Sequence, residues 1–189
     1  MKSRIRAVIQ ESIQVKKDAL EKNIDLIERV AQSIISSYKN GGKVLLCGNG
    51  GSAADSQHIA AEFIGRFQKE RRALPAIALT TDTSILTSLA NDYSYEIVFA
   101  RQVEALGKKG DVLIGISTSG KSPNVIKALE TAQALGILTV AFTGHDGGLM
   151  GKIADISIIV PSKVTARIQE SHIALFHALC EVVEDEFAK

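Results

Sequence analysis

Val112-Leu113-Ile114-Gly115-Ile116 runs directly into Ser117-Thr118-Ser119-Gly120-Lys121-Ser122-Pro123-Asn124. An apolar run without alternation describes a strand covered on both faces, the mark of a parallel sheet. Hydroxyls and a glycine follow, and Pro123 then stands at the favoured first position of a helix. The same order recurs along the chain. Val44-Leu45-Leu46-Cys47 ends at Gly48-Asn49-Gly50-Gly51-Ser52, and Ala76-Ile77-Ala78-Leu79 ends at Thr80-Thr81-Asp82. Leu138-Thr139-Val140-Ala141-Phe142 ends at Thr143-Gly144, and Ile156-Ser157-Ile158-Ile159-Val160 ends at Pro161-Ser162. Helical stretches lie between, notably at 53–67, 95–106 and 123–135, with a last long one at 167–187. Strands alternating with helices predict an α/β fold: a doubly wound, five-stranded parallel sheet sandwiched by helices.

Ahead of the first strand, Ile5, Val8, Ile9, Ile13 and Leu20 recur near the helical period. So do Ile24, Leu26, Ile27, Val30, Ile34 and Ile35, up to a stop at Gly41-Gly42. This predicts two N-terminal helices over residues 1–40, prepended to one domain that spans 1–189. At 189 residues the chain can build a core without staples. Its 22 basic and 21 acidic residues give a net charge of +1, which argues against nucleic acid or an anionic membrane as partner. Cys47 and Cys180 stand alone, with no CxxC, and read as small buried hydrophobes. No apolar run reaches the ~18 residues of a membrane span, and the first residues lack the apolar core of a signal peptide. The expectation is a soluble, cytoplasmic protein.

In doubly wound folds ligands bind beyond the carboxyl ends of the strands. There Ser117, Thr118, Ser119 and Ser122 precede a helix whose free N–H groups and dipole suit a phosphate. Ser122 alone would serve as an N-cap; the other hydroxylated residues need a further reason. The Gly-rich loop lacks dinucleotide spacing but admits a ligand close to its backbone, where Asn49 and Ser52 reach sugar hydroxyls. Together the two loops indicate a sugar phosphate. His58 and Glu62 share one face of the following helix at i,i+4, among apolar neighbours Ile59, Ala60, Ala61, Phe63 and Ile64. They read as a metal half-site, an acid–base pair or a surface pair. Partners are available on the last helix at Gln169, Glu170, His172 and His177. Gln169 and His177 stand about 12 Å apart along it. A single metal reaching both needs long side chains or a second subunit. Glu170 is expected to pair with Arg167, His172 to be structural, and His145 to be exposed in a turn. Asn91-Asp92 is either a turn or a holder of polyol hydroxyls.

The stretches Cys47-Gly48-Asn49-Gly50-Gly51-Ser52, His58-Ile59-Ala60-Ala61-Glu62, Asn91-Asp92, 110–120, Thr143-Gly144 and Ala166-Arg167-Ile168-Gln169-Glu170 resemble those of the bacterial phosphoheptose isomerases. These belong to the sugar isomerase domain family, and the resemblance extends over essentially the whole chain. It implies conversion of sedoheptulose 7-phosphate to D-glycero-D-manno-heptose 7-phosphate, on the way to lipopolysaccharide or capsule precursors. It also implies a homotetramer with one Zn2+ per subunit and active sites between subunits, the N-terminal helices serving the packing. Carried over, His58, Glu62, Gln169 and His177 are the zinc ligands. Glu62 is the base and His177 the acid of an enediol mechanism. Substrate contacts fall on Asn49, Gly50, Gly51, Ser52, Glu62, Asn91, Asp92, Ser117, Thr118, Ser119, Ser122 and Gln169, with Arg66 a further candidate. Some members carry an acidic residue where this chain has Ala166. The alternatives are a non-enzymatic tetrameric adaptor for the replication initiator protein and a sugar-phosphate-sensing regulator. The presence of both Glu62 and His177 favours the enzyme over the first. The charge-balanced first forty residues disfavour the second.

Overall fold

A computed structural model describes residues 1–188. The chain opens with α1 (Lys2–Lys39) and proceeds through β1 (Val44–Gly48), α2 (Gly51–Ile64), β2 (Ala76–Ala78) and α3 (Thr83–Asp92). A 3-10 turn (Tyr95–Ile97) leads to α4 (Ala100–Leu106), β3 (Val112–Ser117) and α5 (Pro123–Ala134). The chain ends with β4 (Leu138–Gly144), α6 (Met150–Ile153), β5 (Ile156–Val160) and α7 (Thr165–Asp185). All strands pair in parallel, in the order β2-β1-β3-β4-β5. The doubly wound α/β architecture is as expected.

The N-terminal segment corrects the expectation of two helices: it is one helix of 38 residues. No Gly or Pro interrupts it, and the polar break in its apolar stripe is a tie to the sheet. The buried Asn23 amide accepts from Ile159 N–H at 3.1 Å and donates to the Ala19 and Ile159 carbonyls at 2.7 and 3.2 Å. α2 also ends earlier than expected, at Ile64, and residues 95–106 divide into the 3-10 turn and α4.

The core has two halves, one on each face of the sheet. Side chains of α1, α2 and α7, including Ile34, Ile59, Phe63, Phe176 and Leu179, cover one face. Val98, Phe99, Val103, Val125, Leu129 and Met150 cover the other. The central strands β1 and β3 are buried throughout, whereas the edge strand β5 alternates. The strand order reverses between β1 and β3, so their carboxyl ends flank the crevice where such folds bind ligands.

His172 is structural, as expected. It is fully buried and donates from Nε2 to the Thr143 carbonyl at 2.9 Å, while Nδ1 has no partner. Burial, only partly offset by that carbonyl, pushes its pKa down to about 4. Below the unfolded value of 6.5 the unfolded chain takes up a proton that the folded chain resists. Stability should therefore fall by about 3 kcal/mol from this residue as pH drops from 6.5 towards 4. Urea unfolding across that range checks it; His172→Gln should remove this component of the slope. Cys47 and Cys180 are free and buried, with thiols pushed up to about 12 by burial, Glu62 adding to the effect at Cys180.

Candidate active site

The reversal point brings two loops together. The first, after β1, turns at Asn49-Gly50 into α2; the second, after β3, carries the serines into α5. They are joined side chain to side chain. Asn49 and Asn124 exchange reciprocal amide hydrogen bonds at 2.9 and 2.8 Å, and Tyr95 donates to Asn49 Oδ1 at 3.3 Å. Neither Asn124 nor Tyr95 was expected here; the signal for Asn124 was a polar residue at a buried first-turn position.

In the serine loop the Ser117 hydroxyl lies 2.8 Å from that of Ser122 and 3.4 Å from that of Ser119. Ser122 is thus spent on Ser117 and makes no side-chain cap on α5, which corrects the capping expectation. In the first turn Pro123 has no N–H, Val125 N–H donates to Asn124 Oδ1 at 3.0 Å and Ile126 N–H to the Ser122 carbonyl at 3.0 Å, which leaves the Asn124 N–H for an anion. Gly120, at φ +64°, presses against the backbone of Gly147 and Gly148; a Cβ there would collide with the Gly147 carbonyl. Its own carbonyl accepts from Met150 N–H at 3.0 Å. Thr118 is half-buried and Ser119 exposed. A cleft of about 650 Å3 lined by Ser119, Lys121, His145, Asp146, Ser162 and Lys163 flanks the loop on one side. One of about 430 Å3 lined by Asn49, Tyr95, Ser122 and Asn124 flanks it on the other. Neither encloses the histidines described next.

Along α2 and α7 the residues converge in two places. At the start of α2, Gln169 lies on the Gly51 backbone: a Cβ at Gly51 would stand 2.5 Å from its amide nitrogen. Two turns on, the Nε2 atoms of His58 and His177 face each other at 3.0 Å. Glu62 Oε1 is 3.4 Å from the same His58 nitrogen. Only one of the two imidazoles can carry the intervening proton, so the other presents a lone pair. The spacings match the edge, about 3.3 Å, of a tetrahedron with metal bonds of 2.0–2.1 Å. The donor set of two imidazoles and a carboxylate suits a divalent transition metal. Among the described residues, however, no group of three His, Cys, Asp or Glu forms a metal-binding cluster. One chain by itself supplies a partial set. His58 and Glu62 side chains remain 47% and 22% exposed, so the group is open to a further ligand or subunit. Behind it, Asp55 has a buried oxygen without a partner, and burial raises its pKa against the opposing pull of His58.

The remaining expectations divide. Glu170 pairs with Arg167 at 2.9 Å, and His145 is exposed in a turn at φ 54°. Ser52, in the first turn of α2, is buried at 3% exposure. Arg66 leaves α2 after Gly65 and pairs with Glu70 at 3.3 Å in solvent. Asn91 and Asp92 form the exposed last turn of α3 and hydrogen-bond to each other at 2.9 Å.

The SIS domain family model matches residues 9–144, from α1 to the end of β4, taking in both loops and α2. Full-length relatives extend the likeness over α7. A phosphoheptose isomerase of Aquifex aeolicus is 58% identical over 185 residues, covering 98% of this chain and 97% of that protein. One from Clostridium acetobutylicum is 55% identical over 188 residues, covering 98% and 96%. The solved phosphoheptose isomerase of Neisseria gonorrhoeae superposes with a TM-score of 0.92 at 45% identity, covering 97% of this chain and 98% of that one. With its sheet order, its paired loops and its His58–Glu62–His177 group, the chain belongs to the SIS domain family and, within it, to the phosphoheptose isomerases.

Proposed function

We propose that the chain interconverts sedoheptulose 7-phosphate and D-glycero-D-manno-heptose 7-phosphate, supplying heptose for lipopolysaccharide or capsule precursors. The observation that carries the reading is the meeting of Glu62, His58 and His177 across α2 and α7, beside two loops suited to a sugar phosphate. Relatives of 55–58% identity bearing that activity in their names support it. The adaptor alternative has no comparable support.

Ketose-to-aldose conversion moves one proton from C1 to C2 and one from O1 to O2 through an enediol. Glu62 takes the C1 proton and returns it to C2. His177 protonates O2 as the C2 carbonyl becomes enediol, and the imidazole so left neutral takes the O1 proton as the aldehyde forms, which returns it to its starting state. The serine loop and the first turn of α5 hold the phosphate, which anchors the sugar so that its reacting end lies at the carboxylate. The ligands assigned to zinc are His58, Glu62 and His177, which meet in one chain, and Gln169, which lies two turns away at Gly51 and would have to come from a second subunit. When bound, zinc supplies Lewis acidity or order to these groups. Glu62 cannot be a firm ligand and a free base at the same moment, so its bond to the metal must be weak or transient.

The decisive test incubates the purified, zinc-supplemented protein with sedoheptulose 7-phosphate, with a chelated sample alongside, and follows the aldose signal by NMR. Aldoheptose phosphate is expected, more slowly after chelation. No turnover from folded protein in either sample would return the reading to the adaptor.

The assembly proposed is a homotetramer. Its support is the front of α1, where Ile5, Ile9, Ile13, Leu20 and Ile24 are each 46–61% exposed along one stripe. Five large apolar side chains at helical spacing are a surface that a second copy would bury. Ile9→Glu together with Ile13→Glu should yield a smaller species in sedimentation while the circular dichroism of the subunit is kept. A wild-type monomer would remove the tetramer. Among the described residues no helix is long and apolar enough to cross a membrane.

A further inference from the structure

Between α2 and β2 the chain makes a strap over residues 65–75, and a buried charge pair fastens it to α7. The side chains of Arg71 and Glu184 are each only 1% exposed. Glu184 Oε1 accepts from Phe67 N–H at 2.7 Å, and Oε2 accepts from Gln68 and Lys69 N–H at 2.6 and 2.8 Å. Arg71 Nε stands 3.3 Å from Glu184 Oε1, a charge contact without hydrogen-bond geometry. The rest of the guanidinium faces the carboxyl end of α2. Nη2 donates to the Glu62 carbonyl at 2.7 Å, and Nη1 to those of Phe63, Gly65 and Arg72 at 2.9, 3.0 and 3.0 Å.

The Glu62, Phe63 and Gly65 carbonyls are among those a helix end leaves without intrahelical partners, and a cation there also suits the helix dipole. Burial alone would raise the Glu184 carboxyl, but the N–H groups of Gln68, Lys69 and Phe67 and the Arg71 charge outweigh it and hold it low. It therefore stays ionised at neutral pH.

The strap touches the candidate proton-transfer groups twice. Arg71 holds the backbone of Glu62 itself. Phe67, whose N–H Glu184 grips, lays its ring 5.5 Å from that of His177 at 32°, with His58 against the same imidazole at 5.2 Å and 62°. Glu184 follows His177 by seven residues on α7, two helical turns away. A strap needed only to close a loop has no reason to reach both groups. We propose that Glu184 and Arg71 are positioning residues, which orient His177 through Phe67 and Glu62 through its carbonyl. The proton-transfer roles rest on the function proposed above; the orientation does not.

The test uses full-length protein, first without metal. The imidazole Hε1 signal of His177 is identified by its loss in His177→Gln. Phe67→Leu removes the ring current and sets the scale of the displacement. Glu184→Gln should displace the same signal in the same direction by at least half as much, without touching His177. Phe67→Tyr should leave it near the wild-type position. In the zinc-loaded enzyme, Phe67→Leu and Glu184→Gln should lower kcat by about tenfold. Their KM should stay within twofold, because the serine loop belongs to β3 and α5, and Phe67→Tyr should restore kcat.

A His177 signal unmoved in folded Glu184→Gln, or a wild-type kcat in Phe67→Leu, would overturn the proposal. If Glu184→Gln does not fold, the half-buried Phe67 pair carries the decision, through its signal and its kcat. If the wild type itself shows no turnover, the isomerase reading fails separately and the imidazole signal still decides the orientation.

Discussion

Glu62→Gln should lower kcat by about a thousandfold, within the range a positioned general base contributes. The amide keeps the shape of the carboxylate beside His58 but cannot take a proton from carbon. The fold has little at stake in this side chain: it is 22% exposed, and its recorded partner is His58 at 3.4 Å. Circular dichroism and sedimentation of the variant should match the wild type. Zinc content, measured on the same sample, separates the two roles assigned to Glu62. Lost turnover with zinc retained marks a base. Turnover restored by excess zinc marks a ligand. Activity within tenfold of wild type would take Glu62 out of the chemistry.

Ser119→Asp should raise KM at least a hundredfold while leaving kcat at saturation near its wild-type value. Ser119 Oγ lies 3.4 Å from Ser117 Oγ and accepts from Lys121 N–H at 3.3 Å, at the exposed mouth of the loop. A carboxylate there would face the phosphate at roughly 4 Å, worth about 4 kcal/mol per pair of charges at an effective dielectric of 20. Ser119→Ala removes one hydroxyl and should cost about 1 kcal/mol, or roughly fivefold in KM. The contrast between the two isolates charge from the mere loss of a hydrogen bond. Equal KM values for Ser119→Asp and wild type would put the phosphate elsewhere.

The strands were legible because a strand buried on both faces must be apolar without interruption, and β1 and β3 are. The two strand-end loops were legible because Gly, Ser and Asn have few other reasons to cluster there. The break in α1 was misread for a tertiary reason: Asn23 interrupts the stripe in order to hold β5, and sequence alone does not show what lies opposite. Ser122 looked like a cap because hydroxyls before Pro usually are; Ser117 competes for it only once the loop has closed. The spacing of His58 and Glu62 followed from helical geometry, but their meeting with His177 depends on how α2 and α7 lie together. Arg71 and Glu184 went unnoticed. Their one signal was a carboxylate at 184 on the same stripe as Phe176, Cys180 and Val183, all buried.

The contact of Gly120 with Gly147 and Gly148 bears on the heat and entropy of binding. With side chains absent on both sides, the loops after β3 and β4 lock backbone to backbone, and the Met150 N–H holds the Gly120 carbonyl. The serine loop is thereby shaped before any phosphate arrives. A ligand entering it need not freeze a wandering segment, so little conformational freedom is surrendered at that end of the sugar. Calorimetry with inorganic phosphate would then record a small entropic penalty, and a side chain at Gly120, by prising the loops apart, would enlarge it.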